Sequence, residues 1–265
     1  MKPFESFKFN KAFGQNFISD KNLLNAIAND SGISFNDNVL EIGTGAGALT
    51  EVLAERAKKV VTFEIDKKLT EYLTEKFQGK ENVRLVLKDA LNTEIEEIED
   101  MFSGQDFHLV ANLPYYITTP LIFKFLEETN RAKSITVMVQ KEVAEKIVAK
   151  CGEDGYGITS VIFQYYFQPK ITRIVSKKMF SPPPKVDSAV ISMQRKDVPF
   201  DKEFSNFVRL AFSMKRKTLV NNLSSGGLLK EDVLNALESL GLDKSIRAES
   251  LPFGTIRQIF EILAK

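Results

Sequence analysis

Short apolar runs alternate with helix-forming stretches over the first two thirds of the chain. Five apolar runs predict strands, at residues 39–42, 60–63, 83–87, 107–111 and 135–139. Helical spacing predicts helices at residues 20–31, 46–57, 67–77, 120–127 and 141–150. Short buried strands alternating with helices are typical of a parallel sheet covered on both faces. We therefore predict an α/β fold built on a doubly wound sheet.

The pattern changes in the last third of the chain. Residues 171–175 and 188–193 alternate as strands do, but a proline-rich loop at residues 180–184 separates them instead of a helix, which predicts an antiparallel end to the sheet. Residues 195–199 have the character of a linker, and the apolar clusters that follow have helical spacing. The predicted domains are a sheet domain at residues 1–194 and a small helical domain at residues 195–265.

Two stretches have no clear periodicity. The acidic segment at residues 94–100 is predicted to be irregular. Five phenylalanines alternate with lysines in the first eighteen residues, and this stretch is predicted to be an arm that packs onto the sheet domain.

Composition places the chain among ordinary globular proteins. Of its 265 residues, 43% are hydrophobic and 27% charged. No apolar run approaches the ~20 residues that span a bilayer, so we expect a cytoplasmic protein without a membrane partner. The single cysteine, Cys151, excludes an intramolecular disulfide. The single histidine, His108, lies in a predicted strand, where we expect a hydrogen bond within the sheet rather than catalysis, and no metal site is predicted.

Charge is unevenly distributed along the chain. The net charge is only +1, but residues 170–217 carry twelve basic residues and four acidic ones, a net charge of +8. A basic segment on a near-neutral protein is a candidate surface for a polyanion. The alternative is a solvated lysine-rich face, and charge alone favours that alternative.

A glycine loop follows the first predicted strand. Gly43, Gly45 and Gly47 lie where this strand turns into a helix, so that backbone can approach a ligand closely. Glu64 follows the next strand, 21 residues beyond Gly43, where a carboxylate accepts hydrogen bonds from ribose hydroxyls. The combination indicates an adenosine-containing cofactor, either a dinucleotide or S-adenosylmethionine.

Two further carboxylates bear on that choice. Glu41, two residues before Gly43, is unfavourable beside a pyrophosphate but compatible with an ammonium-bearing cofactor. Asp89 follows the third strand beside Ala90 and can accept a hydrogen bond from an adenine amine. The alternative for Asp89 is a turn residue, since aspartate is common in turns.

The stretch Asn112-Leu113-Pro114-Tyr115 follows the apolar strand at residues 107–111. Ligands bind at the carboxyl ends of strands in open α/β sheets. The stretch offers an amide, a carbonyl and an aromatic face, a set that can hold a planar heterocycle with an exocyclic amine. Thr119 and Pro120 predict the N-cap and the first residue of the next helix.

Several motifs resemble one family in the same order along the chain. The glycine loop with Glu41 and Glu64 resembles class I S-adenosylmethionine-dependent methyltransferases, and the Asn112–Tyr115 stretch resembles the motif of enzymes that methylate exocyclic amines of bases. From about residue 10 to the C-terminus the chain resembles the KsgA/RsmA ribosomal RNA adenine dimethyltransferases. The motifs that carry this resemblance lie at residues 10–17, 139–144, 155–157, 180–190 and 212–219.

The resemblance implies a fold and an activity. The fold is a Rossmann-like class I methyltransferase, with a mostly parallel seven-stranded sheet, followed by a small all-α domain that binds RNA or the ribosome. The implied activity is dimethylation, at N6 and from S-adenosylmethionine, of two adjacent adenosines in the 3′-terminal hairpin loop of 16S rRNA on an assembling small subunit. The implied assembly state is a monomer.

The resemblance also assigns roles to residues. Together with the residue analysis it gives a cofactor set of Asn16, Ile18, Glu41, Gly43, Gly45, Gly47, Glu64, Asp89, Ala90 and Asn112. The Asn112 side chain and the Leu113 carbonyl are expected to accept hydrogen bonds from the target amine, Pro114 to fix the turn, and Tyr115 and Phe180 to stack on the base. The expected RNA contacts are Lys185, Arg209, Lys215, Arg216 and Lys217.

Two other functions remain open from the sequence. One is an Erm-type methyltransferase acting on 23S rRNA, although the Asn112–Tyr115 motif, the loop at residues 155–157 and the length of the helical tail favour the small-subunit family. The other is a ribosome-assembly or nucleic-acid-binding factor with secondary catalysis. The intact glycine loop and Asn112 argue against a purely binding role.

Overall fold

The computed structural model describes residues 17–18 and 20–264. The strands in these residues are β1 (Phe17–Ile18), β2 (Asn38–Ile42), β3 (Lys59–Phe63), β4 (Val83–Val86), β5 (Phe107–Asn112), β6 (Ala132–Gln140), β7 (Phe167–Val175), β8 (Phe180–Ser181) and β9 (Ser188–Arg195). The α-helices are α1 (Lys21–Ser31), α2 (Ala48–Ala54), α3 (Thr70–Lys76), α4 (Ile95–Asp100), α5 (Thr118–Glu127), α6 (Lys141–Val148), α7 (Ile158–Tyr166), α8 (Lys202–Ala211), α9 (Leu219–Ser225), α10 (Lys230–Ser239) and α11 (Phe253–Leu263).

Seven strands form one sheet, in the order β4-β3-β2-β5-β6-β9-β7. The pairs among β2 to β6 are parallel, and β9 runs antiparallel to β6 with Ile135 opposite Met193. The fold class is confirmed, as is the antiparallel strand near the end of the sheet. Because β2 and β5 are neighbours, their carboxyl ends bring Gly43 and the Asn112–Tyr115 stretch to one edge.

The helices differ from prediction in three places. Residues 95–100, predicted as irregular, form α4, because Ile95 and Ile98 bury an apolar edge one turn apart. α7 was absent from the prediction. Thr119 is not an N-cap: α5 begins at Thr118 with Ile117 as its cap, and the Thr118 hydroxyl donates to the Pro114 carbonyl.

A second short sheet pairs β1 with β8 in antiparallel register. Phe17 lies opposite Ser181, and Ile18 lies opposite Phe180. This pairing holds β1 beside the main sheet, where the Phe17 ring lies close to Gly45. Most of the phenylalanine-rich arm, including Asn16, lies outside the described residues.

The chain divides into two compact units, one of Met1–Lys141 with Lys170–Arg195 and the other of Glu142–Pro169 with Lys196–Lys265. The second division, at 195/196, lies next to the predicted boundary at 194/195, but residues 142–169, predicted in the sheet domain, group with the helical tail. The cause is the packing of α7: the rings of Tyr165 and Phe204 lie 4.7 Å apart, and the Tyr166 hydroxyl donates to the Asp201 carbonyl at 3.1 Å.

Within residues 20–264, the helices lack the combination of length and apolar character that crossing a bilayer requires. The same residues contain no cluster of histidine, cysteine and carboxylate side chains able to hold a metal ion.

Candidate functional site

A pocket lies at the carboxyl edge of the sheet in the first unit. Ten predicted site residues line it, and they are Ile18, Gly43, Gly45, Glu64, Asp89, Ala90, Asn112, Leu113, Pro114 and Tyr115. The ends of β2, β3 and β5 and the loop after β4 supply nearly all of them. The pocket therefore combines the predicted cofactor loop with the predicted amine-binding stretch.

The glycine loop is held by the neighbouring strand. The backbone N–H groups of Gly43 and Thr44 both donate to the Phe63 carbonyl at the end of β3, at 2.8 and 3.1 Å. Gly43 has φ +84°, a left-handed conformation that glycine adopts at little cost. The loop is thereby turned toward Asn112, whose carbonyl oxygen would lie 3.6 Å from a Cβ at Gly43.

Gly47 does not line the pocket, so its predicted cofactor contact is corrected. It has φ +76° at the N-terminus of α2, and a Cβ there would lie 2.7 Å from the Phe77 ring. The reason for glycine at this position is the close packing of α2 against Phe77. Sequence spacing could not separate this role from cofactor binding.

Glu64 uses both carboxylate oxygens to hold backbone. Oε2 accepts from the Gly45 N–H at 2.7 Å, and Oε1 accepts from the N–H groups of Ile65 and Asp66 at 3.0 and 2.9 Å. Burial raises the pKa of Glu64, while these three N–H donors favour the charged form. The residue thus fixes the glycine loop and also presents a carboxylate to the pocket.

Glu64→Gln is therefore expected to disrupt the hydrogen bonds that hold the glycine loop and to weaken cofactor binding. Glutamine has one acceptor oxygen, so its NH₂ group would face the N–H of Gly45 or those of Ile65 and Asp66. We expect S-adenosylhomocysteine to bind roughly tenfold more weakly, about 1.4 kcal/mol, as measured by calorimetry. Glu71→Gln, at an exposed position on α3, is the matched control. Wild-type affinity in Glu64→Gln would contradict the role given to this carboxylate.

Glu41 does not contact the pocket, which corrects its predicted role toward an ammonium group. The side chain is fully buried, and its Oε2 accepts from the hydroxyls of Thr50 and Thr62, each at 2.6 Å. Thr62 is in turn bonded to Thr44 of the glycine loop at 2.6 Å. Burial raises the pKa of Glu41 to about 7, with a smaller contribution from the charge of Glu64. Glu41 supports the loop from inside the protein.

Asp89 combines both interpretations that the sequence left open. Its Oδ1 accepts from the Leu91 N–H at 2.9 Å and its Oδ2 from the Asn92 amide at 2.7 Å, which makes it a turn residue. It also lines the pocket beside Ala90. The turn fixes the carboxylate at the edge where an adenine amine is expected.

The Asn112–Tyr115 stretch is anchored at both ends. Leu113 is buried, and its N–H donates to the Met138 carbonyl of β6 at 3.3 Å. Pro114 begins a turn in which its carbonyl accepts from the Ile117 N–H at 3.2 Å. The Tyr115 hydroxyl lies 2.7 Å from the Ser188 hydroxyl at the start of β9. These contacts hold the end of β5 in one conformation at the pocket.

Phe180 does not line the pocket, and its predicted stacking role is corrected. It belongs to β8, its side chain is only 5% exposed, and it packs in a cluster with Ile18, Leu24 and Val175. A proline-rich loop gives no indication of which face of the preceding residue is buried. Pairing with β1 decides it, because that pairing places Phe180 opposite Ile18.

Tyr116, which the sequence did not single out, also lines the pocket and is 56% exposed. Phe17 and Lys88 line it as well. The only available signal for Tyr116 was its place next to Tyr115 in a loop at a strand end. The expectation for His108 is met: its Nδ1 lies 2.7 Å from the Ser134 hydroxyl on the neighbouring strand β6.

The basic residues proposed for RNA binding lie on loops and helix surfaces. Lys185, in the loop before β9, is exposed, as are Arg209 on α8 and the run Lys215–Lys217 between α8 and α9. Within the second unit, the Asn222 amide donates to the carbonyls of Ala211 and Met214, at 2.7 and 3.3 Å. The loop that carries Lys215–Lys217 is thus fixed at its start by a buried side chain.

The pocket fits an adenosine-containing methyl donor. Gly43 and Gly45 line the pocket, and the carboxylates of Glu64 and Asp89 that line it are the kind of acceptor that ribose hydroxyls and an adenine amine require. A mostly parallel seven-stranded sheet with one antiparallel strand, carrying this pocket, defines a class I S-adenosylmethionine-dependent methyltransferase. The family model described as "Ribosomal RNA adenine dimethylase" matches residues 6–265. The chain belongs to the ribosomal RNA adenine dimethylase family.

Individual relatives agree with this assignment. The chain is 45% identical to the Ribosomal RNA small subunit methyltransferase A of Clostridium botulinum (strain Langeland), over 97% of this chain and 96% of that one. It is 44% identical to the protein of that name from Caldanaerobacter subterraneus, over 92% and 93% of the two chains.

Two solved structures are similar over nearly the whole chain. A dimethyladenosine transferase from Plasmodium falciparum aligns with a TM-score of 0.80 at 27% identity, covering 94% of this chain and 98% of that one. The 23S rRNA methyltransferase ErmE aligns with a TM-score of 0.74 at 27% identity, covering 94% and 100%.

Proposed function

We propose that this enzyme dimethylates N6 of two adjacent adenosines in the 3′-terminal hairpin loop of 16S rRNA, on an assembling small subunit. The observation that carries the proposal is the presence of the Asn112–Tyr115 stretch in the same pocket as the glycine loop and Glu64. The small-subunit choice draws on relatives that are named small-subunit methyltransferases. The proposed assembly state is a monomer, and the proposed compartment is the cytoplasm.

The proposed chemistry needs no proton removal before attack. Adenine N6 is a poor nucleophile because its lone pair is delocalised into the ring, and S-adenosylmethionine supplies a methyl group on a positively charged sulfur. The Asn112 side-chain oxygen and the Leu113 carbonyl accept the hydrogens of N6, which favours tetrahedral nitrogen and aims its lone pair at the methyl group. The same acceptors stabilise the positive charge that develops on nitrogen.

A second transfer follows the same geometry. As the bond from N6 to the methyl carbon forms, the bond from that carbon to sulfur breaks and S-adenosylhomocysteine leaves. The positively charged N6 then releases one proton to water and retains one hydrogen, so one of the two acceptors can still orient the amine. Tyr115 is proposed to stack on the base, because its hydroxyl is tethered to Ser188 and its ring lines the pocket. A base in a hairpin loop is already unstacked, which lowers the cost of placing it in such a pocket.

The direct test is labelled methyl transfer to immature small subunits and, separately, to large-subunit RNA, followed by mapping of the modified bases. We expect N6-dimethyladenosine at two neighbouring positions of 16S rRNA and none in 23S rRNA. Modification of 23S rRNA alone would instead favour the Erm-type activity, which remains the alternative because the chain is also similar to ErmE. Tight particle binding without transferred label would favour an assembly factor.

The loop Lys215-Arg216-Lys217 is proposed to contact RNA phosphates. Changing all three residues to glutamine should weaken RNA binding and lower the slope of log affinity against log salt by ~1 for each lost phosphate contact. Filter binding over a salt series measures this slope. The matched control changes Lys202, Lys230 and Lys244, which are exposed lysines of the same unit, to glutamine. Equal slopes in the two triple variants would indicate that the loop is a solvated basic surface that does not contact RNA.

A further inference from the structure

Two adjacent tyrosines, Tyr115 and Tyr116, lie in different environments at the end of the amine-binding stretch Asn112–Tyr115. Tyr115 is partly buried, and its hydroxyl is bonded to Ser188 of β9. Tyr116 lines the same pocket but is 56% exposed. Among the described residues, no hydrogen bond or aromatic contact holds the Tyr116 side chain. One tyrosine is thus fixed to the sheet, whereas the other is available to a ligand.

Different carboxylates also act on the two tyrosine hydroxyls. Burial and then the carboxylates of Asp89 and Glu64 raise the pKa of Tyr116. The carboxylate that raises the pKa of Tyr115 is Asp187, next to Ser188. Tyr116, Asp89 and Glu64 line the same pocket, and the two carboxylates are the groups expected to bind the adenine amine and the ribose hydroxyls of the cofactor.

We propose that Tyr116 covers the adenosine part of the bound cofactor, with its ring packed on the ligand at the open side of the pocket. The target base is then left to Tyr115 on the other side of the loop. The proposal requires S-adenosylmethionine as cofactor but does not depend on which RNA is methylated. It assigns a cofactor contact to a residue directly after the amine-binding stretch.

The surroundings of Tyr116 give the physical basis. An exposed aromatic ring at the mouth of a pocket gains burial when a flat heterocycle enters, and its face is a suitable stacking surface for adenine. Asp89 and Glu64 provide hydrogen-bond acceptors, and Ile65 and Ala90, which line the pocket next to them in the chain, are aliphatic and offer no aromatic face. Tyr116 is the exposed aromatic side chain that lies with them at this edge.

The test measures binding of S-adenosylhomocysteine by calorimetry in the absence of RNA. For Tyr116→Ala we expect the dissociation constant to rise about tenfold, as for the loss of a base–aromatic stack. Tyr116→Phe keeps the ring and should retain wild-type affinity. Phe35→Ala is the matched control, because it removes a ring that is 74% exposed and does not line the pocket. Its affinity should be that of the wild type.

Two results would overturn the proposal. Wild-type affinity of Tyr116→Ala for S-adenosylhomocysteine, combined with a raised KM for RNA, would place the ring on the RNA. Wild-type values for both would make Tyr116 an ordinary surface residue. The chain contains no tryptophan, so tyrosine fluorescence provides a second readout: ligand binding should quench more emission in the wild type than in Tyr116→Phe. Because the binding test omits RNA, it is independent of the proposed small-subunit substrate.

Discussion

Asn112→Ala is expected to lower kcat for methyl transfer by about 10²–10³, the effect of removing one preorganised hydrogen-bonding group that stabilises transition-state charge. The side-chain oxygen is one of the two proposed acceptors for N6, and alanine leaves the amine with the Leu113 carbonyl alone. Asn112 ends β5 in register with Met138, so its backbone position does not depend on the side chain. Single-turnover methyl transfer at saturating cofactor measures the effect.

The control for this variant is its affinity for S-adenosylhomocysteine. Asn112 also lines the cofactor pocket, so the change could weaken cofactor binding. The affinity for S-adenosylhomocysteine is therefore measured on the same preparation, and kcat is compared at saturating cofactor. Asn36→Ala, in the loop before β2, removes an exposed side-chain amide that does not line the pocket and should retain kcat. A near-normal kcat for Asn112→Ala at saturating cofactor would exclude the role of the Asn112 side chain as an acceptor for N6.

Glu41→Gln is expected to stabilise the protein at alkaline pH and not at acidic pH. In the unfolded chain the carboxyl ionises near its ordinary pKa of 4.5, whereas burial raises the pKa in the folded protein to about 7. Between these values the folded state binds more protons, so the free energy of unfolding falls as pH rises. The shift corresponds to about 3 kcal/mol. Glutamine resembles the protonated form and abolishes this loss.

Urea unfolding at pH 5 and pH 8 provides the measurement. The stability of Glu41→Gln relative to the wild type should improve by about 2.5 kcal/mol between the two pH values, because part of the loss has already occurred at pH 5. His108 contributes to the pH dependence of both proteins, because burial lowers its pKa, and the comparison cancels that contribution. Parallel stability curves for the two proteins would mean that Glu41 ionises in the folded protein as it does in the unfolded chain.

The sheet and most of the pocket were predictable because they depend on local patterns. Apolar runs such as residues 60–63 and 135–139 are long enough to identify buried strands, and parallel strands place their carboxyl ends at one edge. Gly43, Glu64 and Asn112 each follow such a run directly, so finding the strands also located these residues. At these positions the pocket residues and the strand ends coincide along the chain.

The remaining errors concern features that depend on distant contacts. Glu41 points away from the pocket because Thr50 and Thr62 bind it from a helix and a neighbouring strand. Phe180 is buried because its segment pairs with β1. Glu41 was correctly placed in its strand, whereas Phe180 was predicted in a loop and lies in β8. In both cases the direction of the side chain is set by contacts with other elements.

Residues 142–169 were assigned to the wrong unit for a related reason. α7 has a composition compatible with either unit, and contacts such as the packing of Tyr165 on Phe204 and the bond from Tyr166 to Asp201 join it to the helical tail. Tyr116 was missed because two adjacent tyrosines in a loop have equal local signals. Their different exposure depends on Ser188, which lies in β9.

The pairing of β1 with β8 has a consequence for biosynthesis. Phe17 forms part of the pocket wall against Gly45, and its strand is held by residues 180–181. Gly43, Glu64, Asp89 and Asn112 are all translated before β8. A nascent chain that already contains these ligand-binding groups therefore lacks the strand that fixes this wall. We therefore expect the pocket wall that Phe17 forms to be completed only after residues 180–181 have been synthesised.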